Sequence, residues 1–172
     1  MPYAIDLHTH SVASPDGSLD LEDYRTILQQ GRLQFIAVTD HNTIDMAVQL
    51  QAQLGNAVIV GEEITTGQGE IIGLYLSHTI PPQKTALDAV RAIKKQGGLV
   101  YIPHPFETVR SGIPAEALNQ IADQVDIIEV HNGRAIFQNY AKEALAWAKA
   151  EGVPGAASSD AHGRVAGVEH AV

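Results

Sequence analysis

Cysteine is absent from the sequence, so no disulfide framework holds this chain together. Also lacking is any apolar run close to the roughly 20 residues that span a bilayer, although hydrophobic residues make up 45% of the chain. A membrane partner is therefore not expected. The opening MPYAIDLH lacks the basic stretch followed by an apolar one that a secretory signal needs, and the expected location is the cytoplasm. Positive charge is scarce as well: 11 Lys and Arg stand against 20 Asp and Glu, a formal net charge of −9. Such a balance repels polyanions and argues against long duplex nucleic acid as a partner. An anionic substrate would need a local source of positive charge, which bound divalent ions can supply where basic side chains do not.

Repeats, low-complexity tracts and linkers are missing too, so the 172 residues are expected to form one domain, 1–172. What the chain does have is a succession of short apolar runs: Ala4 to Leu7, Phe35 to Thr39, Ala57 to Val60, Ile71 to Leu76, Leu99 to Ile102, Val125 to Val130 and Gly155 to Ser158. Most are continuously apolar, as buried strands are. Helical patterns lie between them. Asp20 and Asp23 open one that Gly31 closes, and Thr85 and Asp88 open another that Gly97 closes. Thr43 is placed to cap a third, ended by Gly55, and AIFQNYAKEALAWAKAE stops at Gly152 with Pro154 beyond. This alternation predicts an α/β fold with a parallel sheet, either open or closed into a barrel. The Ile71 to Leu76 run reads as a hairpin arm, and Met46, Tyr140 and Trp147 read as packing residues.

The eight histidines carry the chemistry. Six of them stand at or just beyond the end of a predicted strand, and strand carboxyl ends in parallel folds face one common crevice. His8 and His10 share a side because strand residues two apart point the same way; Asp160 and His162 repeat the spacing. Asp16 follows the first strand, Asp40 and His41 end the second, Glu62 and Glu63 the third, His104 a later one, and Glu129 and His131 the next. One histidine at a strand end is usually a hydrogen-bonded residue and nothing more. So many imidazoles and carboxylates in one crevice would repel one another unless cations neutralise them. A set with no thiolate suits manganese, iron or zinc. Alternation also forbids Glu62 and Glu63 from both facing the crevice.

DLHTHSVASPDG, AVTDHNT, GEEI, IPHP, IEVHNGR and SSDAH, in this order over essentially the whole chain, resemble the motif set of the PHP (polymerase and histidinol phosphatase) family. The resemblance implies a distorted (β/α)7 barrel with two or three divalent metal ions at the carboxyl ends of its strands. It implies that His8, His10 and Asp160 hold one ion and Glu63 bridges it to a second, which His104 and His131 also hold. A third would rest on Asp16, His41 and His162. Glu63, Asp160 and His162 are then the residues expected nearest the reaction, and Glu62 a salt-bridge or core-rim residue.

Around these, Asp6, Asp40 and Glu129 are suitable partners for imidazole N–H groups. Arg134 is a candidate for holding a substrate phosphate, Arg110 a weaker one, and His78 a third pocket residue; the alternatives are a solvated residue for Arg134 and a loop residue for His78. The implied activity is a metal-dependent phosphoesterase acting on a small phosphorylated substrate, a phosphomonoester such as a nucleotide. The alternatives are a short-oligonucleotide exonuclease, a metal-binding module without turnover, and a barrel hydrolase of C–N bonds. No lysine stands at a central strand end, which removes one common metal-bridging device of that last class. The final VAGVEHAV is a candidate last strand, and His170 a surface residue.

Overall fold

The structure is a computed structural model and describes residues 3–135 and 138–163. Seven strands form one sheet in sequence order: β1 (Ile5–Asp6), β2 (Phe35–Val38), β3 (Val58–Thr66), β4 (Gly69–Leu74), β5 (Leu99–Ile102), β6 (Ile127–Asn132) and β7 (Gly155–Ser158). Pairing is parallel except at β4, which runs antiparallel to both neighbours. The ends of the sheet meet just past the strands, where Asp160 N donates to His8 O at 2.9 Å and His10 N to Ala161 O at 2.8 Å. The result is a nearly closed barrel with helices outside, a distorted (β/α)7 barrel.

Strand alternation sorts the core into two compartments. Ala37, Ile59, Ile72, Leu74 and Tyr101 form a small cluster made only of strand residues, which is the barrel interior. Their neighbours along the strands, Ile36, Val38, Val58, Val60, Ile71, Val100 and Ile102, face outward into the larger cluster shared with the helices. Helix α3 (Ala86–Lys95) shows how the outer layer is written: Ala86, Ala89, Val90 and Ile93 are buried, a 3–4 spacing that makes one apolar stripe. Burial of each large aliphatic side chain on that stripe stabilises the fold by about 2 kcal/mol.

Helix ends follow the capping signals. Asp20 caps α1 (Leu21–Gln29) in a capping box with Asp23, and Thr85 caps α3. Helix α2 (Asp45–Leu54) starts later than expected, with Ile44 at the cap and the Thr43 hydroxyl accepting from Asp45 N at 3.2 Å. Helix α4 (Ala115–Asn119) was not foreseen, because five residues are too few to show a period. Helix α5 (Ala141–Glu151) is shorter than its pattern; Asn139 Oδ1 takes the Ala141 N–H at 3.0 Å and fixes the start there. The proposed last strand in VAGVEHAV and His170 lie outside the described residues.

Candidate metal centre

The carboxyl end of the barrel gathers the side chains the strands deliver. Beyond β1 the extended chain carries His8 and His10 on one side, both fully buried, their Nε2 atoms 3.0 Å apart. Thr9 between them points the other way, donating to Ala37 O at 2.6 Å. On β3, Ile59 faces the interior, so Gly61 and Glu63 do as well, and Glu62 faces outward. Glu63 Oε2 lies 3.5 Å from His8 Nε2, 3.2 Å from His10 Nε2 and 3.3 Å from His41 Nδ1, while Oε1 lies 3.0 Å from His104 Nε2. Burial pushes the Glu63 carboxyl up, but the charge of His8 and its bonds to His10, His104 and His8 outweigh this and hold it well below the usual carboxylate range.

Asp160 reaches the same point from beyond β7, its Oδ1 at 3.4 Å from His8 Nε2, 3.6 Å from His10 Nε2 and 3.3 Å from His162 Nδ1. Asp160 has φ +53° and His104 φ +27°, a backbone region that costs energy outside glycine and that concentrates at functional sites. At the rim, Asp16 lies 3.6 Å from His41 Nε2 and 3.1 Å from His162 Nε2.

These donors fall into sets whose nitrogen and oxygen atoms lie within 4.8 Å of one another: His8, His10 and Glu63; His8, His104 and Asp160; His10, Asp16, His41 and His162; and His41, Glu63 and Glu70. The fit to divalent cations rests on this chemistry. Two imidazole nitrogens confront each other at 3.0 Å beside two carboxylates, an array of lone pairs that needs a positive charge at its centre. Without one, His8 carries it: burial lowers its pKa, but the charges of Asp160 and Glu63 win and hold it well above the ordinary imidazole value. A metal ion would take the place of that proton.

The partners behind the cluster are partly those expected. Glu129 Oε1 stands 3.3 Å from His8 Nδ1 and is fixed by Tyr101 OH at 2.7 Å, while Oε2 accepts from His104 N and Asn132 Nδ2. This orients His8 with Nε2 toward the centre. Asp40 serves His10, not His41: it accepts from Ser14 Oγ, which is 3.0 Å from His10 Nδ1. Asp6 bonds no imidazole among the described residues; its Oδ1 accepts from the backbone N–H groups of His8 and Ser159.

Three expectations change. His131 is exposed and belongs to none of the donor sets. A bulge in β6 makes Glu129 oppose Ala156 and His131 oppose Ala157, so one extra residue reverses the alternation. Asn132, opposite inward-facing Ser158, turns in instead. His78 stands away from the donor sets. Because β4 is antiparallel, its last residue, Leu74, pairs with Leu99 at the start of β5, so the following loop lies at the far end. There His78 is exposed and bonded through its backbone to the Gln96 side chain. Arg110 points at the centre, with most of its N–H groups taken by Glu107, Asn132 and Asp160. Arg134 stands at the rim, its Nη1 2.7 Å from His162 Nδ1 and 3.7 Å from Asp160 Oδ1.

Glu70 was missed. It stands second in the antiparallel β4, so its side chain enters the layer where the parallel strands end, 3.6 Å from His41 Nδ1 and 4.0 Å from His104 Nε2. Burial and the charge of Glu63 push its carboxyl up to about 8, the response of a buried carboxylate set beside another.

No protein-family model matches the sequence. A protein of Methanocaldococcus jannaschii called uncharacterized protein MJ1587 is 32% identical over 149 residues, 79% of this chain and 87% of that protein. The chain belongs to the same family as MJ1587. Among solved structures it is similar to a two-domain protein of Bacteroides vulgatus containing a predicted PHP-like metal-dependent phosphoesterase, with a TM-score of 0.77 and 25% identity. That match covers 93% of this chain and 52% of the other, so the chain spans about half of that protein. A Bifidobacterium adolescentis protein inferred to be a metal-dependent phosphoesterase gives a TM-score of 0.73 at 17% identity, covering 95% of this chain and 89% of that one. Endonuclease Q, solved with a duplex carrying an abasic lesion, gives 0.61 at 14%, over 94% of this chain and 49% of that one. The fold is thus of the PHP type. Among the described residues no helix is long and apolar enough to cross a membrane.

Proposed function

We infer that the protein is a PHP-family, metal-dependent phosphoesterase that hydrolyses small phosphomonoesters, nucleoside monophosphates being the first class to test. The observation that carries this reading is the convergence of four donor sets, all nitrogen and oxygen, at one end of the barrel. Ions held by His8, His10, Glu63 and Asp160, by Glu63 and His104, and by Asp16, His41 and His162 would supply Lewis acidity toward phosphate oxygens and make water a nucleophile at neutral pH.

The chain's own residues then divide the remaining work. Glu63, with both oxygens engaged by different imidazoles, fixes the spacing between neighbouring donor sets. Glu129 holds His8 in the tautomer that leaves Nε2 free. Arg134, with a side chain 44% exposed beside His162 and Asp160, presents a guanidinium to two phosphate oxygens at once. Covalent catalysis by serine finds no support at the site. Ser14 Oγ lies near His10, but it is buried and already bonded to Asp40 and the His41 N–H.

The test is a panel of monophosphates and short oligonucleotides, with free phosphate and mononucleotide release both measured on chelated and on Mn-, Fe- or Zn-loaded protein. Phosphate release that needs the ions supports the reading. Unchanged turnover after chelation overturns it, and mononucleotide release without free phosphate assigns the exonuclease reading instead.

A further inference from the structure

Two arginines stand at Asp160, one exposed at the rim and the other held by protein groups. Arg110 Nη1 donates to Asp160 Oδ2 and to Asn132 Oδ1, each at 2.7 Å. Its Nε and Nη2 donate to both oxygens of Glu107 at 2.9 and 2.7 Å. A guanidinium has five N–H donors in a rigid fork, so at least four are committed to the protein and little is left for a phosphate. Glu107 is itself buried, 5% exposed, and its loop is closed on itself: Gly112 N donates to Glu107 O at 2.7 Å and Phe106 N to Ile113 O at 3.0 Å. Any side chain at Gly112 would put a Cβ 2.2 Å from the His104 carbonyl oxygen. Arg110 is therefore carried on a fixed mount.

The mount acts on one atom. Asp160 Oδ2 accepts from Arg110 and, at 3.2 Å, from Asn132 Nδ2, whereas Oδ1 is the oxygen near His8, His10 and His162. The terminal torsion of an aspartate is broad and two-fold, so the backbone alone does not choose which oxygen faces the imidazoles. We propose that Arg110, held by Glu107, is a positioning residue that keeps Asp160 a one-oxygen ligand, with Oδ2 occupied and Oδ1 aimed at His8 and His10. The proposal rests on the metal-centre reading above.

The experiment compares wild type, Arg110→Ala, Arg110→Lys and Glu107→Gln for bound manganese by elemental analysis, manganese affinity by chelator competition, thermal unfolding of the metal-free protein, and kcat and KM on the best phosphomonoester. Arg110→Ala is expected to weaken manganese binding by roughly ten- to a hundredfold, as loss of an outer partner of a ligand does, and to lower kcat with KM little changed. Arg110→Lys does not rescue, because an ammonium cannot hold the Glu107 fork. In the Asp160→Ala background the Arg110 effect on affinity disappears, which a merely structural role would not produce. Should Arg110→Ala fail to fold, Glu107→Gln carries the test, with a smaller loss in the same direction. Unchanged affinity in Arg110→Ala or Glu107→Gln, or a raised KM at constant kcat, overturns the positioning role and leaves the metal centre standing. A wild-type chain that takes up no manganese, iron or zinc overturns the metal-centre reading itself.

Discussion

The two walls of the barrel deliver their chemistry by different rules. On the β1–β2–β3 side the strands are parallel; alternation along β3 places Glu63 inside and Glu62 outside, and the extended chain beyond the short β1 brings His8 and His10 to the same point. On the β4–β5–β6 side one strand is reversed and another is bulged. There Glu70 enters from the first residues of its strand, and Asn132 takes the inward place that His131 would otherwise hold. A regular wall can be read two residues at a time; an irregular one depends on where the chain turns.

The largest expected effect tests the regular wall. His8→Ala or Asp160→Ala should cut phosphoester turnover by roughly a thousandfold or more, the scale seen when a group acting on the transition state is removed. Both proteins should retain a cooperative melt, since the ligands lie beyond the apolar core. A variant that keeps its activity would remove that residue from the centre. On the irregular wall, Glu70→Gln should lower metal affinity by roughly ten- to a hundredfold, checked by chelator competition. An unchanged affinity would mean the reversed strand supplies only scaffold.

Loading of either wall is linked to protons. His8 is held protonated by Asp160 and Glu63 against the opposing effect of burial, and it must lose that proton to bind an ion. Below its raised pKa, affinity for the ion that His8 would hold should therefore climb with pH, with proton release on binding, as titration calorimetry in buffers of different ionisation enthalpy would show. A flat profile from pH 5 to 7 would contradict the charge state assigned to His8.

Glu62 gives the same alternation a stability readout. It faces outward, fully buried; Oε2 accepts from Ile80 N at 2.8 Å, and no described group bonds Oε1. Burial pushes its carboxyl up from 4.5 to about 7, with the Ile80 bond opposing. The folded state thus prefers the protonated acid, and its contribution is complete below about pH 4.5 and is lost as pH rises to about 7. Glu62→Gln does not titrate, so it should be more stable than wild type by up to about 3 kcal/mol at pH 8, with the gain gone by pH 4.5. Denaturant unfolding at the two pH values checks this.

Much of this was legible in the chain. The capping signals at Asp20 and Thr85 were enough for α1 and α3, and the period-two rule for Glu62 and Glu63 on β3. Two features were not. The hairpin reading of Ile71 to Leu76 matches the antiparallel β4, but the run begins one residue past Glu70, and which end of the barrel Glu70 and His78 reach depends on the pairing of β4 with both neighbours. The bulge at Val130 leaves no local mark either, because IIEVHN alternates as well as any strand. Likewise, Arg110 and Arg134 are indistinguishable as letters; only the buried Glu107 beneath one of them separates a fixed side chain from an available one.

The smallest expected effect is the sharpest test of the irregular wall. Because His131 opposes outward-facing Ala157, its ring lies outside every donor set, and an exposed side chain with no partner in the core contributes little to stability. His131→Ala should therefore change metal stoichiometry not at all and turnover by less than about twofold, within the range of ordinary surface substitutions. Asn132→Ala, one residue on, should do more, since it unties Glu129, Asp160 and Arg110 together. If His131→Ala instead strips an ion from the protein, the β6 bulge does not set the register of the working site, and the strand must be read in simple alternation after all.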